Sequence, residues 1–388
     1  MFFGLIFVIL YSMRILIDVR VLSRGGFSGI EYYTRSIINN LLRFKREHCY
    51  ILFYNGLKKA ALPHEWIADP LITLHSPRIP NKIFDCAQYI FHRPRIERHS
   101  NPDIVISPHI NNLTIHVPRI LAVHDLSFIH HPYFFSLRHR VWHRMQNIKR
   151  QLLSADRVIA DSDFTKSDII RTFNIPEEKV MRIYPGITLP QNGQTPERSS
   201  AFFNTHSIRK PYVLYIGTIE PRKNVYSIIK AFEIVKRNKQ WRDLQLVLAG
   251  SMGWLYGDVL QAHRKSSFYD SIRIVGSISE KQKSFLYEHA EVFVYPSFFE
   301  GFGFPPLEAQ SYGVPVIASN RASLPEVLHS SALLIDPWRI GECAEALEAV
   351  LDNEMFKMKL RKAGLENVKR FSWEKTTKEI MKIVEYRI

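Results

Sequence analysis

The chain has 388 residues, long enough for two ordinary domains. With 46% hydrophobic and 23% charged residues it has a globular composition, which excludes a disordered or fibrous chain. A formal net charge of +15 predicts an anionic partner, and three scattered cysteines (Cys49, Cys86, Cys343) exclude a disulfide framework and suit a reducing compartment.

The opening MFFGLIFVILYS (1–12) is apolar but shorter than the roughly 20 residues of a spanning helix, and it lacks the basic start of a signal peptide. Met13 reads as close to the start of the fold. The extension before it reads as a mis-called start or a weak membrane-touching tail. MRILIDV (13–19) then predicts a buried first strand. Gly25-Gly-Phe-Ser-Gly29 follows it and opens a helix over 30–42, a loop that could cradle phosphate but is no strict dinucleotide fingerprint.

DIVIS (103–107), RILAVHD (119–125) and RVIADS (157–162) predict further strands; His124 and Asp125 fall at a carboxyl edge, where ligands of such sheets bind. SLRHRVWHRMQNIKRQLL (136–153) predicts one helix. Its apolar stripe Leu137, Val141, Met145, Ile148 and Leu152 is expected to pack on the sheet, with Arg138, Arg140, Arg144, Lys149 and Arg150 on other faces. That basic face is either simply solvated or docks on an anionic membrane leaflet.

TLPQNGQTPERSSAFFNTHSIRKP (188–211) has no clear period and reads as an interdomain linker. Beyond it, YVLYIGT (212–218), LQLVLAGS (244–251), IRIVGS (272–277), VFVYPS (292–297) and VPVIAS (314–319) predict strands, with YSIIKAFEIVKRN (226–238) a helix between the first two. Apolar runs alternating with helices predict a doubly wound α/β sheet in each half.

Two stretches in the second half carry the chemistry. GTIEPRKN (217–224) places Gly217, Arg222 and Lys223 between a strand and a helix, where cations can neutralise charge developing on a phosphate oxygen. FFEGFGFPPLEA (298–309) leaves another strand. Gly301 and Gly303 free the backbone to approach a ligand, and Pro305 or Pro306 suits a helix start. Glu308 is expected in the first turn of that helix, able to accept from a ribose diol, and Glu300 lies nearer a transferred group. Gly313 fits the residue after the helix end. Read alone, two glutamates eight apart are ordinary surface charges; the glycine loop and the proline helix start give them weight.

These residues together resemble the retaining GT-B glycosyltransferases of the family 4 (group 1) type. Glu300 and Glu308 match the E-x7-E motif; AVHDLSF (122–128), ADSDFTKSDI (160–169), YPGI (184–187), LPEVL (324–328), ALLIDP (332–337) and FSWEKT (371–376) match other landmarks in order. The resemblance implies a GT-B fold of two Rossmann-like domains: an acceptor domain over 13–190 and a nucleotide-sugar domain over 205–371, with the helix of 372–388 crossing back. It implies Glu300, His124, Lys223 and Arg222 as catalytic. The donor would meet Gly217, Arg222, Lys223, Gly301, Phe302, Gly303, Phe304, Leu307 and Glu308, with Gly26 and Gly29 closing on its phosphates. His124 and Asp125 would lie on the acceptor side.

Thr218 departs from the family, many members having arginine there; Arg222 is expected to supply that charge. No metal or other cofactor is implied. The GTIEPRKN form resembles mannosyltransferases of bacterial surface-polysaccharide pathways, so GDP-mannose is the first expected donor, with dTDP-rhamnose or a UDP-hexose as alternatives. The acceptor would be a glycan or a lipid-linked hydroxyl, and the enzyme would be cytoplasmic, peripheral on the inner face of the membrane. A basic nucleic-acid-binding protein or a non-catalytic binding module is the reading of a different class. The sequence has no RRM-type or helix-turn-helix signature for the first, and intact Glu300, Lys223 and His124 speak against the second.

Overall fold

The computed structural model describes residues 12–24, 28–56, 62–190 and 196–386. Residues 1–11 of the apolar extension, and Gly26 of the first glycine loop, lie outside the described residues. The first half builds one sheet from β1 (Arg14–Asp18), β2 (Cys49–Phe53), β3 (Ile72–His75), β4 (Ile104–Ser107), β5 (Arg119–Val123), β6 (Arg157–Ala160) and β7 (Val180–Arg182). Its order is β3-β2-β1-β4-β5-β6-β7, and its registered pairs are parallel. The second half builds another from β8 (Tyr212–Ile216), β9 (Gln245–Ala249), β10 (Ile272–Gly276), β11 (Val292–Tyr295), β12 (Val316–Ser319) and β13 (Leu333–Ile335). Its order is β10-β9-β8-β11-β12-β13, again parallel.

Parallel strands need crossovers, and crossover helices cover both faces, so central strands must be apolar on both sides. β4, β5, β8, β9, β11 and β12 are buried at every position. Each sheet winds outward in both directions from its first strand. The order reverses between β1 and β4, and between β8 and β11. Loops leaving the strands at such a reversal diverge and leave a crevice. The loops after β8 and β11 are the two stretches that sequence analysis singled out.

The helix Trp373–Glu385 crosses back. Trp373, Ile380, Met381, Ile383 and Val384 join the core of the first half. The crossing is close: a Cβ on Gly186 would lie 2.1 Å from the Trp373 nitrogen.

Three expectations change. The stretch 136–153 is two helices, Leu137–Gln146 and Ile148–Ser154, because Asn147 adopts a left-handed conformation (φ 44°) that asparagine tolerates. The continuous stripe is thereby broken: Ile148 and Leu152 are buried, but Leu137 (71%) and Val141 (51%) are exposed. The linker stretch contains a helix, Pro196–Thr205, and Phe202 packs into the core of the second half. Adjacent Phe202 and Phe203 gave no helical period to read. The strands β2, β3, β7 and β13 were not anticipated.

Candidate active site

β8 ends at Ile216 and the chain turns through Gly217, whose φ of 158° is one that L side chains rarely adopt. A Cβ on Gly217 would meet the Tyr215 hydroxyl at 2.8 Å. A 3-10 turn, Pro221–Lys223, carries Arg222 and Lys223 to the crevice, and Asn224 in a left-handed conformation starts the next helix, Val225–Lys236. The Asn224 carboxamide donates to the carbonyls of Pro296 (3.3 Å) and Pro337 (2.7 Å), tying this turn to the loops after β11 and β13.

After β11 the chain runs through Ser297 to Glu300. Glu300 is buried, and both of its oxygens accept hydrogen bonds, Oε2 from a single donor. Oε1 accepts from Lys223 Nζ at 2.5 Å and from Ser297 Oγ at 2.6 Å; Oε2 accepts from Arg222 Nη1 at 3.2 Å. Burial alone would push its carboxyl up, but the charges of Lys223 and Arg222 and the hydrogen bonds of Lys223 and Ser297 outweigh this and hold it down at about 2. Glu300 is therefore ionised and can only accept hydrogen bonds.

Lys223 Nζ also donates to the Tyr295 hydroxyl at 2.6 Å. Burial and the Arg222 charge pull the Lys223 ammonium below its usual range, against the pull of Glu300. The short contact to a carboxylate decides between these opposed pulls, and the pair is ionic. Arg222 sits among three carboxylates: Glu220 (3.0 Å), Glu300 (3.2 Å) and Asp125 of the first half (3.6 Å). It also donates to the Phe299 carbonyl at 2.9 Å.

The helix after the loop is Phe304–Ser311, with Gly303 as its N-cap in a left-handed conformation (φ 97°) and Pro305 in its first turn. It begins earlier than expected, so Glu308 is the fifth helical residue rather than a first-turn one. Gly313 (φ 68°) follows its end, with Gly313 N–H bonded to the Gln310 carbonyl and Val314 N–H to the Ala309 carbonyl, the paired bonds of a glycine-ended helix. Glu308 Oε1 accepts from Lys283 Nζ (2.9 Å), and Oε2 from the Tyr287 hydroxyl (3.1 Å).

From the first half, His124 follows β5. Its Nδ1 lies 2.6 Å from Asp161 Oδ2 and its Nε2 2.7 Å from the Pro108 carbonyl. Both partners are acceptors, so both ring nitrogens donate and the ring is cationic. Burial opposes that charge, but Asp161 prevails and the pKa is raised. The ring nitrogens thus serve the first half itself, while the His124 carbonyl faces the glycine loop: a Cβ on Gly301 would meet it at 1.6 Å. Asp125 accepts from the backbone N–H and hydroxyl of Ser127 and turns its other oxygen toward Arg222.

The structure thus brings Glu300, Lys223, Arg222, Gly301, His124 and Asp125 into one place across the crevice. Glu308 stands further along, on the side of Lys283. Gly29 opens the first-half helix Gly29–Phe44, and its Cβ position is 3.5 Å from the Phe304 ring. Phe304 packs edge-on against Tyr32. Two expected donor contacts have their side chains elsewhere: Leu307 and Phe302 are buried in the core of the second half, so only their backbone could serve a ligand.

Residues 27–190 match the family model described as Glycosyltransferase Family 4, and residues 198–371 match the one described as Glycosyl transferases group 1. O-antigen chain mannosyltransferase B of Escherichia coli is 30% identical over 311 residues, 78% of this chain and 76% of that one.

The chain belongs to the group 1, family 4 glycosyltransferases.

O-antigen chain mannosyltransferase RfbU of Salmonella typhimurium is a further relative, 28% identical over 219 residues, 56% of each chain. Among solved structures, a sucrose-phosphate synthase of Thermosynechococcus elongatus superposes with a TM-score of 0.74 at 20% identity, covering 97% of this chain and 99% of that one. WaaG, a glycosyltransferase involved in lipopolysaccharide biosynthesis, gives 0.70 at 14% identity, covering 96% and 99%. The fold of this glycosyltransferase is GT-B, with its last helix crossing back.

Several residues of the glycosyltransferase's crevice escaped sequence reasoning: Glu220, Tyr295 and Ser297 around the Glu300–Lys223 pair, Asp161 behind His124, and Lys283 with Tyr287 around Glu308. Each is a single polar residue in an ordinary strand end or helix. Only their offset from the motif, three residues before Glu300 for Ser297 and five for Tyr295, could have marked them.

Proposed function

We propose that this glycosyltransferase moves a hexose, mannose from GDP-mannose in the first instance, to a hydroxyl of a glycan or lipid-linked acceptor, with retained configuration and without a metal. The acceptor belongs to a bacterial surface polysaccharide of the O-antigen kind. The names of the two mannosyltransferase relatives support the sugar and the pathway. The observation that carries the site is the buried Glu300–Lys223 pair beside Arg222, at the crevice where the second sheet reverses its order.

In this reading Lys223 and Arg222 neutralise charge growing on the diphosphate, and the Gly301–Phe304 amides hold sugar and phosphate. Glu308 accepts from the ribose diol, and Glu300 from sugar hydroxyls. The bond from the anomeric carbon to the diphosphate oxygen breaks. The acceptor oxygen bonds to that carbon on the same face, and its proton passes to the departing diphosphate. Asp125 and the cationic His124 border the acceptor side.

The exposed Leu137 and Val141, with Arg138, Arg140 and Arg144, form the surface by which the first half meets an anionic leaflet. Among the described residues no helix is long and apolar enough to cross a membrane. The test is a donor panel of GDP-mannose, dTDP-rhamnose and UDP-glucose, with and without EDTA, on a lipid-linked glycan acceptor. The anomeric configuration of the product is read by NMR. An α-mannoside formed from GDP-mannose in EDTA is the expected result. Transfer from another donor, inversion, or loss of turnover in EDTA each overturns the corresponding part.

A further inference from the structure

Two landmark stretches, ADSDFTKSDI (160–169) and LPEVL (324–328), meet across the crevice, and beyond Asp161 neither has a part in the site as described. The helix Asp163–Phe173 belongs to the first half and has Ser162 as its N-cap. Its first amides face the second half, where Glu326 of the short helix Leu324–Leu328 receives them. Glu326 Oε1 accepts from Asp163 N–H at 2.6 Å and from the Tyr184 hydroxyl at 2.9 Å; Oε2 accepts from Phe164 N–H at 2.9 Å. A carboxylate at unpaired helix amides is favoured by both hydrogen bonding and dipole.

The same two segments hold the glycine loop. Ser323, three residues before Glu326, donates its hydroxyl to the Glu300 carbonyl at 2.9 Å. Ser162 donates its hydroxyl to the Gly301 carbonyl at 2.7 Å, with Thr165 Oγ1 at 3.3 Å. The contacts close a ring: Glu300 to Ser323, then Glu326 to the helix start at Asp163, then Ser162 to Gly301 and back. Consecutive carbonyls of the loop are thus fixed, one from each half.

We propose that Glu326 and Ser162 are positioning residues: their cross-crevice clasp sets the Glu300–Gly301 loop in its working orientation only when the halves are closed. The inference rests on the reading of Glu300 as the carboxylate that meets the sugar. Glu326 touches no reacting group in it; it acts through the helix start and the loop. The clasp forms on closure and releases on opening, so its loss leaves donor capture by the second half intact and lowers the share of assembled sites.

The test has two arms. In the first, hydrogen exchange of the Asp163 and Phe164 amides is measured in wild type, Glu326→Gln and Glu326→Ala, without substrate. The exchange is expected to quicken in Glu326→Ala by about 10- to 100-fold, the worth of charge-assisted bonds at a helix start, and by less in Glu326→Gln. In the second, kcat and the donor Kd are measured for Glu326→Ala, Ser162→Ala and the double variant, with thermal unfolding recorded alongside. Expected are a kcat about tenfold or more below wild type, a donor Kd within about twofold, and non-additive single changes, because either opens the same ring. A residue with only a structural role would lower the melting temperature and leave kcat of the folded protein unchanged; that result, unchanged exchange, or fully multiplicative effects overturns the proposal. A wild type that binds no nucleotide-sugar instead refutes the functional reading, while the exchange arm still decides whether the clasp exists.

Discussion

A carboxylate taken out of water needs donors to replace the water, and Glu300 has Lys223, Ser297 and Arg222 in that role. Its folded pKa of about 2 lies below the 4.5 of the free side chain, so on acidification the unfolded chain takes up the proton first. The resulting stabilisation, about 3 kcal/mol, is present in full above about pH 4.5 and is lost as pH falls toward 2. Denaturant unfolding of wild type and Glu300→Gln at pH 5 and pH 2.5 isolates it. Wild type should lose about 2 kcal/mol more than the variant across that interval; equal losses would contradict the ion pair. Lys223→Ala leaves Glu300 with only the Arg222 cation, and truncating one partner of a buried pair costs about 3–5 kcal/mol. It should lower stability at neutral pH by that order, and turnover by about 10²-fold or more. Glu300 and Lys223 were legible because glycines and a proline follow a strand end around them. Tyr295, Ser297 and Lys283 were not, since isolated polar residues carry no period and their partners are fixed only by folding.

The break at Asn147 shows how one residue redirects an element. With a continuous helix over 136–153, Leu137 and Val141 would share the buried face of Ile148 and Leu152. The left-handed asparagine turns the first segment, and that apolar face opens to solvent beside Arg138, Arg140 and Arg144. Each arginine close to an anionic surface contributes about 1 kcal/mol, screened by salt. Flotation with liposomes containing phosphatidylglycerol should therefore carry the protein at low salt. Arg140→Glu with Arg144→Glu should abolish flotation and leave turnover on a short soluble acceptor within about twofold of wild type. Flotation of that double variant equal to wild type would assign the face to solvent alone. Asn147 was misread because apolar spacing runs through it, and spacing carries no information about a single left-handed residue.

Across the molecule, the alternation of apolar strands and helices was legible because parallel strands covered on both faces carry few polar positions, at most one or two at their ends or edges. The strands that were not, β3, β7 and β13, have three or four residues with exposed or half-buried positions. β2 starts at an exposed cysteine directly after a charged turn, which masked an otherwise apolar run. The halves are joined twice, through the segment around residue 190 and through the helix Trp373–Glu385. That helix gives Trp373, Ile380, Met381, Ile383 and Val384 to the first half's core, at about 1.5–3 kcal/mol each. A chain ending at Ser372 loses an amount comparable to a domain's usual margin of stability. Hydrogen exchange on it should find the first sheet unprotected and the second sheet still protected; protection of both would mean that the helix only decorates the first half.

In the proposed function, one crevice divides its two motif glutamates between tasks, Glu308 holding the donor and Glu300 acting on the sugar in transfer. The direct measurement is the GDP-mannose Kd by calorimetry together with kcat, on wild type, Glu308→Ala and Glu300→Ala. Expected are a Kd raised about tenfold or more in Glu308→Ala, and in Glu300→Ala a Kd within a few-fold of wild type with kcat down by about 10²-fold or more. Wild-type affinity in the first variant together with wild-type turnover in the second would contradict it.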